Sequence, residues 1–86
     1  MYLICVYDVN QKRCVKVMKT LRKYLYHVQN SVFEGELTPA KFQELKEELT
    51  KVSNDEDNIC FYFTYANKQL YKDFLGKKVE RWNIFI

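Results

Sequence analysis

The spacing of apolar and polar residues predicts strands in some segments of this chain and helices in others. Tyr2–Asp8 is a nearly unbroken apolar run of strand-forming residues that ends in an acid. Residues 59–65 (ICFYFTY) predict a second strong strand, and residues 70–75, bounded by Gly76, a weaker one. Residues 28–37 (VQNSVFEGEL) also have strand character, and we interpret Gly35 as a bend or bulge within a single strand.

Two other segments repeat apolar residues at helical spacing. The first begins after Asn10, an amide suited to cap a helix, and the second at Thr38-Pro39, a hydroxyl cap followed by proline. The apolar positions are Cys14, Val17, Met18, Leu21, Tyr24 and Leu25 in the first and Phe42, Leu45, Leu49 and Val52 in the second. The resulting order, β-α-β-α-β-β-β, predicts one α+β domain over residues 1–86: a ferredoxin-like antiparallel sheet with both helices on one face.

The last residues of the chain suggest self-association. Residues 82–86 (WNIFI) are apolar at alternate positions and are surplus to a plain sandwich. A domain of 86 residues buries a modest fraction of its surface, so additional burial between copies would stabilise it. We therefore expect a strand at about residues 81–86 to pair with a sheet edge of a second copy.

Composition excludes several classes of protein. With 48% hydrophobic and 16% aromatic residues, the chain is too apolar to be disordered. It has neither an apolar run long enough to cross a membrane nor a signal-peptide pattern, so we expect a cytoplasmic protein. Its three cysteines are widely spaced, which argues against a disulfide framework and structural zinc. Cys5 and Cys60, inside apolar runs, are expected to pack as small hydrophobic residues.

The net charge of +3 is unevenly distributed. Residues 34–57 are rich in acids, whereas residues 1–30 contain a single acid, Asp8. The basic residues of the first helix are Lys12, Arg13, Lys16, Lys19, Arg22 and Lys23. No acid lies between Val9 and Gln29, so these charges lack local partners and are suited to bind a nucleic-acid backbone. A solvated helix face is the simpler alternative.

Asp8 is the first candidate for chemistry. We expect it to face the basic helix and to hold a divalent cation near phosphates, although an acid after a strand is more often a cap or loop residue. One carboxylate is a poor magnesium site, and a two-fold axis would bring two together. Ser31 and His27 do not define a catalytic triad, and two glycines are too few for a phosphate-binding loop.

Three stretches resemble a known family. They are VYDV at the end of the first strand, KR…KV at the start of the first helix and, most specifically, VQNSVFEGEL. Together with length and the terminal strand, they are similar to the small CRISPR-associated endoribonucleases, the compact partners of the CRISPR spacer integrase. The resemblance implies a ferredoxin-like homodimer with exchanged terminal strands, an integrase subunit as partner, and RNA or duplex DNA as ligand.

The resemblance also implies residue roles. Asp8 corresponds to the family's catalytic, metal-binding aspartate, with Mg²⁺ or another divalent cation as cofactor. The nucleic-acid-binding positions correspond to Tyr7, Arg13, Lys16, Ser31 and Phe33. The chain departs from some members at two basic positions, where it has His27 and Cys14.

Three functions stay open from the sequence. The first is a magnesium-dependent phosphodiesterase with Asp8 as metal ligand. The second is a non-catalytic dimeric scaffold that binds duplex DNA and holds two integrase units apart. The acid-rich second helix and the terminal tail are the candidate surfaces for contact with the integrase. The third is a generic ferredoxin-like RNA-binding module that acts as a monomer.

Overall fold

An antiparallel sheet carries two helices on one of its faces in the computed structural model, which describes residues 1–76. The strands in these residues follow the spatial order β2-β3-β1-β4-β5, with every neighbouring pair antiparallel. In chain order the elements are β1 (Tyr2–Asp8), α1 (Gln11–Arg22), β2 (Tyr26–Gln29), β3 (Val32–Glu36), α2 (Pro39–Val52), β4 (Asn58–Thr64) and β5 (Leu70–Leu75). The predicted α+β, ferredoxin-like class is confirmed, and β5 extends the four-stranded core of that fold.

The prediction of one strand over residues 28–37 is wrong. The segment belongs to a hairpin, β2 and β3, that turns at Asn30-Ser31. Asn30 has a φ of 32°, a conformation that asparagine tolerates better than most residues. Gly35 is not a bend: it lies inside β3 opposite Leu3, and its missing Cβ leaves room for Leu25, whose Cδ2 would be 3.2 Å from that atom.

Both helix starts agree with the predicted caps. The side chain of Asn10 accepts a hydrogen bond from the Lys12 amide at 2.9 Å, and the Thr38 hydroxyl accepts one from the Lys41 amide at 3.1 Å. Pro39 occupies the first helical position of α2. These contacts satisfy amide groups that a helix start leaves without a partner.

The core lies between the sheet and the two helices. Alternate residues of β1, namely Leu3, Cys5 and Tyr7, point into it and are buried. The helices contribute Val17 and Leu21 from α1 and Phe42, Leu45 and Leu49 from α2. Cys5, in this core, and Cys60, on the other face of the sheet, are buried free thiols, as expected of small packing residues.

No helix of residues 1–76 lies over the opposite face of the sheet, and we call it the open face. The strand registers assign to it Tyr2, Ile4, Val6 and Asp8 of β1, Val32, Glu34 and Glu36 of β3, Asn58, Cys60, Tyr62 and Thr64 of β4, and Leu70, Lys72 and Phe74 of β5. Val6 and Tyr2 are 39% and 40% exposed, so apolar surface remains open to solvent there.

Two further expectations concern the terminal strand and membrane-spanning segments. The strand predicted at about residues 81–86 lies outside the described residues. Neither helix in residues 1–76 is long and apolar enough to cross a membrane.

Candidate metal and nucleic-acid site

Asp8 is the last residue of the central strand β1 and lies on the open face. Tyr7 points into the core, so the alternation of a strand directs Asp8 to the other side, where its side chain is exposed. The expectation that Asp8 faces the basic helix is therefore wrong, because α1 packs on the opposite face. In the described part of the chain, no hydrogen bond or ion pair occupies its carboxylate.

Two neighbouring strands bring polar residues to the same end of the sheet. Asn58 of β4 is paired directly with Asp8, and side chains opposite each other in an antiparallel pair point to the same face. On the other side, the Tyr7 amide donates to the Ser31 carbonyl at 3.1 Å, which places the β2–β3 turn next to the end of β1. The structure thus brings Asn58 to the same face as Asp8, and Ser31, opposite Tyr7, to the same end of the sheet.

Arg13 of α1 is bound to Asp57, the residue before β4. Its Nε donates to Oδ2 at 2.6 Å and its Nη2 to Oδ1 at 3.0 Å, a two-pronged charge-assisted contact. Asp57 is only 3% exposed and Arg13 24%. The sequence shows no local partners for the basic residues of the first helix, and the structure supplies distant ones for two of them: Asp57 for Arg13, and Glu48 of α2 for Lys23.

Hydrogen bonding sets the charge state of Asp57. The contacts from Arg13 are the main cause that lowers its pKa to about 2, and the backbone amides of Asn10 and Asn54 lower it further, against burial, which raises it. The same pairing raises the pKa of Arg13. The ion pair is therefore intact at neutral pH.

This depressed pKa predicts acid sensitivity. Because the folded-state pKa of Asp57 is below its unfolded value of 3.8, the stabilisation is complete above about pH 5 and is lost as the pH falls towards 2. The loss amounts to about 2 kcal/mol. Urea unfolding followed by circular dichroism at fixed protein concentration should show the wild-type advantage over Asp57→Asn shrinking between pH 5 and pH 2. An advantage that stays constant over this range would contradict the assignment.

The other basic residues of α1 form its solvent face. Lys12, Lys16, Lys19 and Arg22 are exposed. Of the two basic residues predicted to bind nucleic acid, Lys16 is exposed and has no hydrogen-bond or ion-pair partner in the described part of the chain, whereas Arg13 already has two of its donors on Asp57. Lys16 and Arg13, which the sequence gives the same predicted role, therefore differ in the structure in how many of their donors are available to a phosphate.

Tyr7 and Phe33 are packing residues in this structure. They are 5% and 0% exposed and their ring centroids lie 6.1 Å apart, so neither ring presents a face to a nucleic acid in this conformation. His27 stacks on Phe33 at 4.5 Å and covers it. Both His27 Nε2, at 2.7 Å, and the Tyr7 hydroxyl, at 3.4 Å, approach the Asn30 carbonyl, so they hold the turn that carries Ser31. Burial is the main cause that raises the pKa of Tyr7.

The residues around Asp8 fit a magnesium ion only in part. Residues 1–76 contain no group of three or more His, Cys, Asp or Glu side chains that could hold a metal. Magnesium, however, commonly keeps several waters and binds through one or two carboxylates plus substrate phosphates. An exposed, unpaired carboxylate beside the Asn58 amide matches that sparse type of site.

Sequence reasoning missed Asp57 and Asn58. Both belong to the polar stretch SNDEDN, which the sequence shows only as a turn. Nothing in its composition indicates that one acid is buried against α1, or that the next residue is paired with Asp8. That information is in the strand register.

Fold and site together define a class: a small ferredoxin-like protein with a carboxylate at the end of its first strand and a basic first helix. The sequence matches the family model described as CRISPR associated protein Cas2 over residues 1–72. The chain belongs to the Cas2 family.

Individual relatives agree with this assignment. Proteins named CRISPR-associated endoribonuclease Cas2 from Dictyoglomus turgidum and Thermotoga maritima are 51% and 48% identical over 77 residues, which cover 88% of each chain. A crystal structure of Streptococcus pyogenes Cas2 superposes with a TM-score of 0.69 at 39% identity, covering 78% of this chain and 89% of that one. Another crystal structure of cas2 gives 0.67 at 40% identity, with 93% and 80% covered.

Proposed function

We propose that this protein is a homodimeric, magnesium-dependent endonuclease of CRISPR spacer acquisition that hydrolyses phosphodiester bonds of RNA, of DNA or of both. RNA is the substrate to test first, and duplex DNA the second. The observation that carries the proposal is the exposed carboxylate of Asp8 on the open face, which has no hydrogen-bond or ion-pair partner within residues 1–76. The endoribonuclease names of the relatives support RNA.

The open face supports the dimer. A sheet face that carries apolar side chains is normally covered by another layer, and here Val6 and Tyr2 remain about two-fifths exposed. A second copy on this face would cover them. Two-fold symmetry would also bring two Asp8 carboxylates towards one axis and double the ligand set. The predicted terminal strand at about residues 81–86 would add to this contact.

Each residue has a distinct part in the proposed reaction. Asp8 holds the metal, which when bound activates water and stabilises charge on the phosphate. Lys16 and the neighbouring exposed basic residues of α1 bind the phosphate backbone. To Ser31, in the β2–β3 turn, we assign a hydrogen bond from its hydroxyl group to a phosphate oxygen.

A second function has its own support. The single carboxylate per protomer is a sparse site, and the basic helix is sufficient to bind duplex DNA without cleavage. In this alternative the dimer is a scaffold that bridges integrase subunits, and the acidic side chains of α2 contribute to that contact.

Metal removal separates the two functions. The purified full chain is incubated with labelled RNA and with duplex DNA, first with EDTA and then with added Mg²⁺. We expect cleavage to require Mg²⁺, whereas binding survives EDTA and weakens steeply with salt. Binding without cleavage at every Mg²⁺ concentration would favour the scaffold. Cleavage that persists in EDTA would exclude a metal-dependent mechanism.

The dimer is tested separately by sedimentation of the full chain and of a chain ending at Gly76. We expect the full chain to be dimeric and the shortened chain to dissociate at lower concentration. A monomer at all concentrations would instead favour the generic RNA-binding module.

A further inference from the structure

Asp57 joins three segments of the fold through one buried carboxylate. Oδ1 accepts from the Asn10 amide at 2.8 Å and from Arg13 Nη2 at 3.0 Å. Oδ2 accepts from Arg13 Nε at 2.6 Å and from the Asn54 amide at 3.0 Å. The β1–α1 connection, the first turn of α1 and the α2–β4 loop therefore meet at this side chain.

These contacts restrain the backbone next to Asp8. Asn10 is two residues after Asp8, so its amide fixes the path of the chain as it leaves β1. Asn58 follows Asp57 directly and is paired with Asp8 in the sheet. One carboxylate thus restrains the chain on both sides of Asp8: along β1 and across to β4.

We propose that Asp57 is the positioning residue of the Asp8 site, and that Arg13 acts there through Asp57. This inference rests on the proposed function of Asp8 as a metal ligand. An exposed carboxylate at a strand end binds a metal well only if its backbone is held, since the bound geometry then costs little ordering. Arg13 supplies a rigid fork that keeps the Asp57 carboxylate oriented. Asp57 itself, being buried, contacts neither metal nor substrate.

The consequence is a different role for Arg13 from the one implied by family resemblance. A side chain that binds phosphate by charge tolerates replacement with lysine. A side chain that orients Asp57 through Nε and Nη2 does not, because lysine has a single nitrogen and no fork.

The test measures binding of Mn²⁺ alone, used as a paramagnetic probe in place of Mg²⁺, by water proton relaxation of the full-length protein. Asp8→Asn reports whether the metal binds at Asp8. Asp57→Asn and Arg13→Lys report on positioning. Asp73→Asn is the control, because Asp73 of β5 also forms a 2.6 Å ion pair, with Lys46 of α2, but lies away from Asp8. Thermal melting of every variant is recorded beside binding, and all binding is measured well below the melting temperatures.

We expect Asp8→Asn to abolish specific Mn²⁺ binding and Asp57→Asn to weaken it at least about tenfold, with the control unchanged. Arg13→Lys should weaken binding similarly, and the double variant should be no worse than Asp57→Asn, since coupled residues are not additive. Where Asp57→Asn does not fold, Arg13→Lys alone provides the measurement.

Two outcomes would overturn different claims. If Asp8→Asn binds Mn²⁺ as the wild type does, the proposed metal site is wrong. If Asp8→Asn loses binding while Asp57→Asn and Arg13→Lys retain wild-type affinity, the metal site stands and the positioning role is wrong.

Discussion

Replacement of Asp8 by asparagine should reduce Mg²⁺-dependent cleavage by at least about 100-fold while leaving the fold intact, if the proposed nuclease is correct. Asparagine has nearly the same shape but no charge, so a metal ligand is lost. The side chain is exposed on the open face. Within the described residues it has no hydrogen bond or ion pair, so the substitution removes no such contact from the fold. We therefore expect the free energy of unfolding to change by less than about 0.5 kcal/mol.

Binding to the substrate should behave differently from cleavage. Removal of a negative charge near phosphates leaves affinity unchanged or slightly higher, so electrophoretic mobility shifts in EDTA should match or exceed the wild type. Asp55→Asn is the control, since Asp55 is also exposed but belongs to the α2–β4 loop. Cleavage by Asp8→Asn at the wild-type rate would exclude Asp8 as the metal ligand and leave the scaffold as the better function.

The largest effect on stability is expected at Gly76, directly after β5. Its φ of +117° is a conformation that side-chain-bearing residues rarely adopt. A Cβ at this position would overlap the Asp57 carbonyl oxygen and lie 3.1 Å from the carbonyl carbon. Because these are backbone atoms, a rotamer change cannot relieve the overlap.

Gly76→Ala should therefore lower the free energy of unfolding by about 3 kcal/mol or more, measured by urea titration at fixed protein concentration. Gly35→Ala is the comparison: its Cβ would be 3.2 Å from Leu25 Cδ2, a side-chain atom that can move, so the expected loss is about 1 kcal/mol. Equal losses in the two variants would show that the close approach of Gly76 to Asp57 does not control stability. If Gly76→Ala folds at low temperature, its Mn²⁺ affinity should also fall, since the overlap displaces Asp57 and the α2–β4 loop that contains it.

Much of the fold follows from local sequence. The caps at Asn10 and Thr38, the helical stripes and the strong strands all appear where the pattern of apolar residues predicts them. Such features depend on neighbours a few residues apart, so a single sequence carries them. The hairpin of β2 and β3 was missed because its turn, Asn30-Ser31, lacks the glycine or proline that usually indicates one.

The site divides in the same way. Three properties can be read directly along the chain: an acid at the end of the first strand, a basic first helix and, through resemblance, the family. The position of Asp8 on the open face rather than towards α1, with Asn58 as its neighbour, follows from the packing of the folded chain. The same packing buries Tyr7 and Phe33 and pairs Arg13 with Asp57, 44 residues away. These properties depend on strand register and on contacts between distant segments, which the spacing of residues along one chain does not encode.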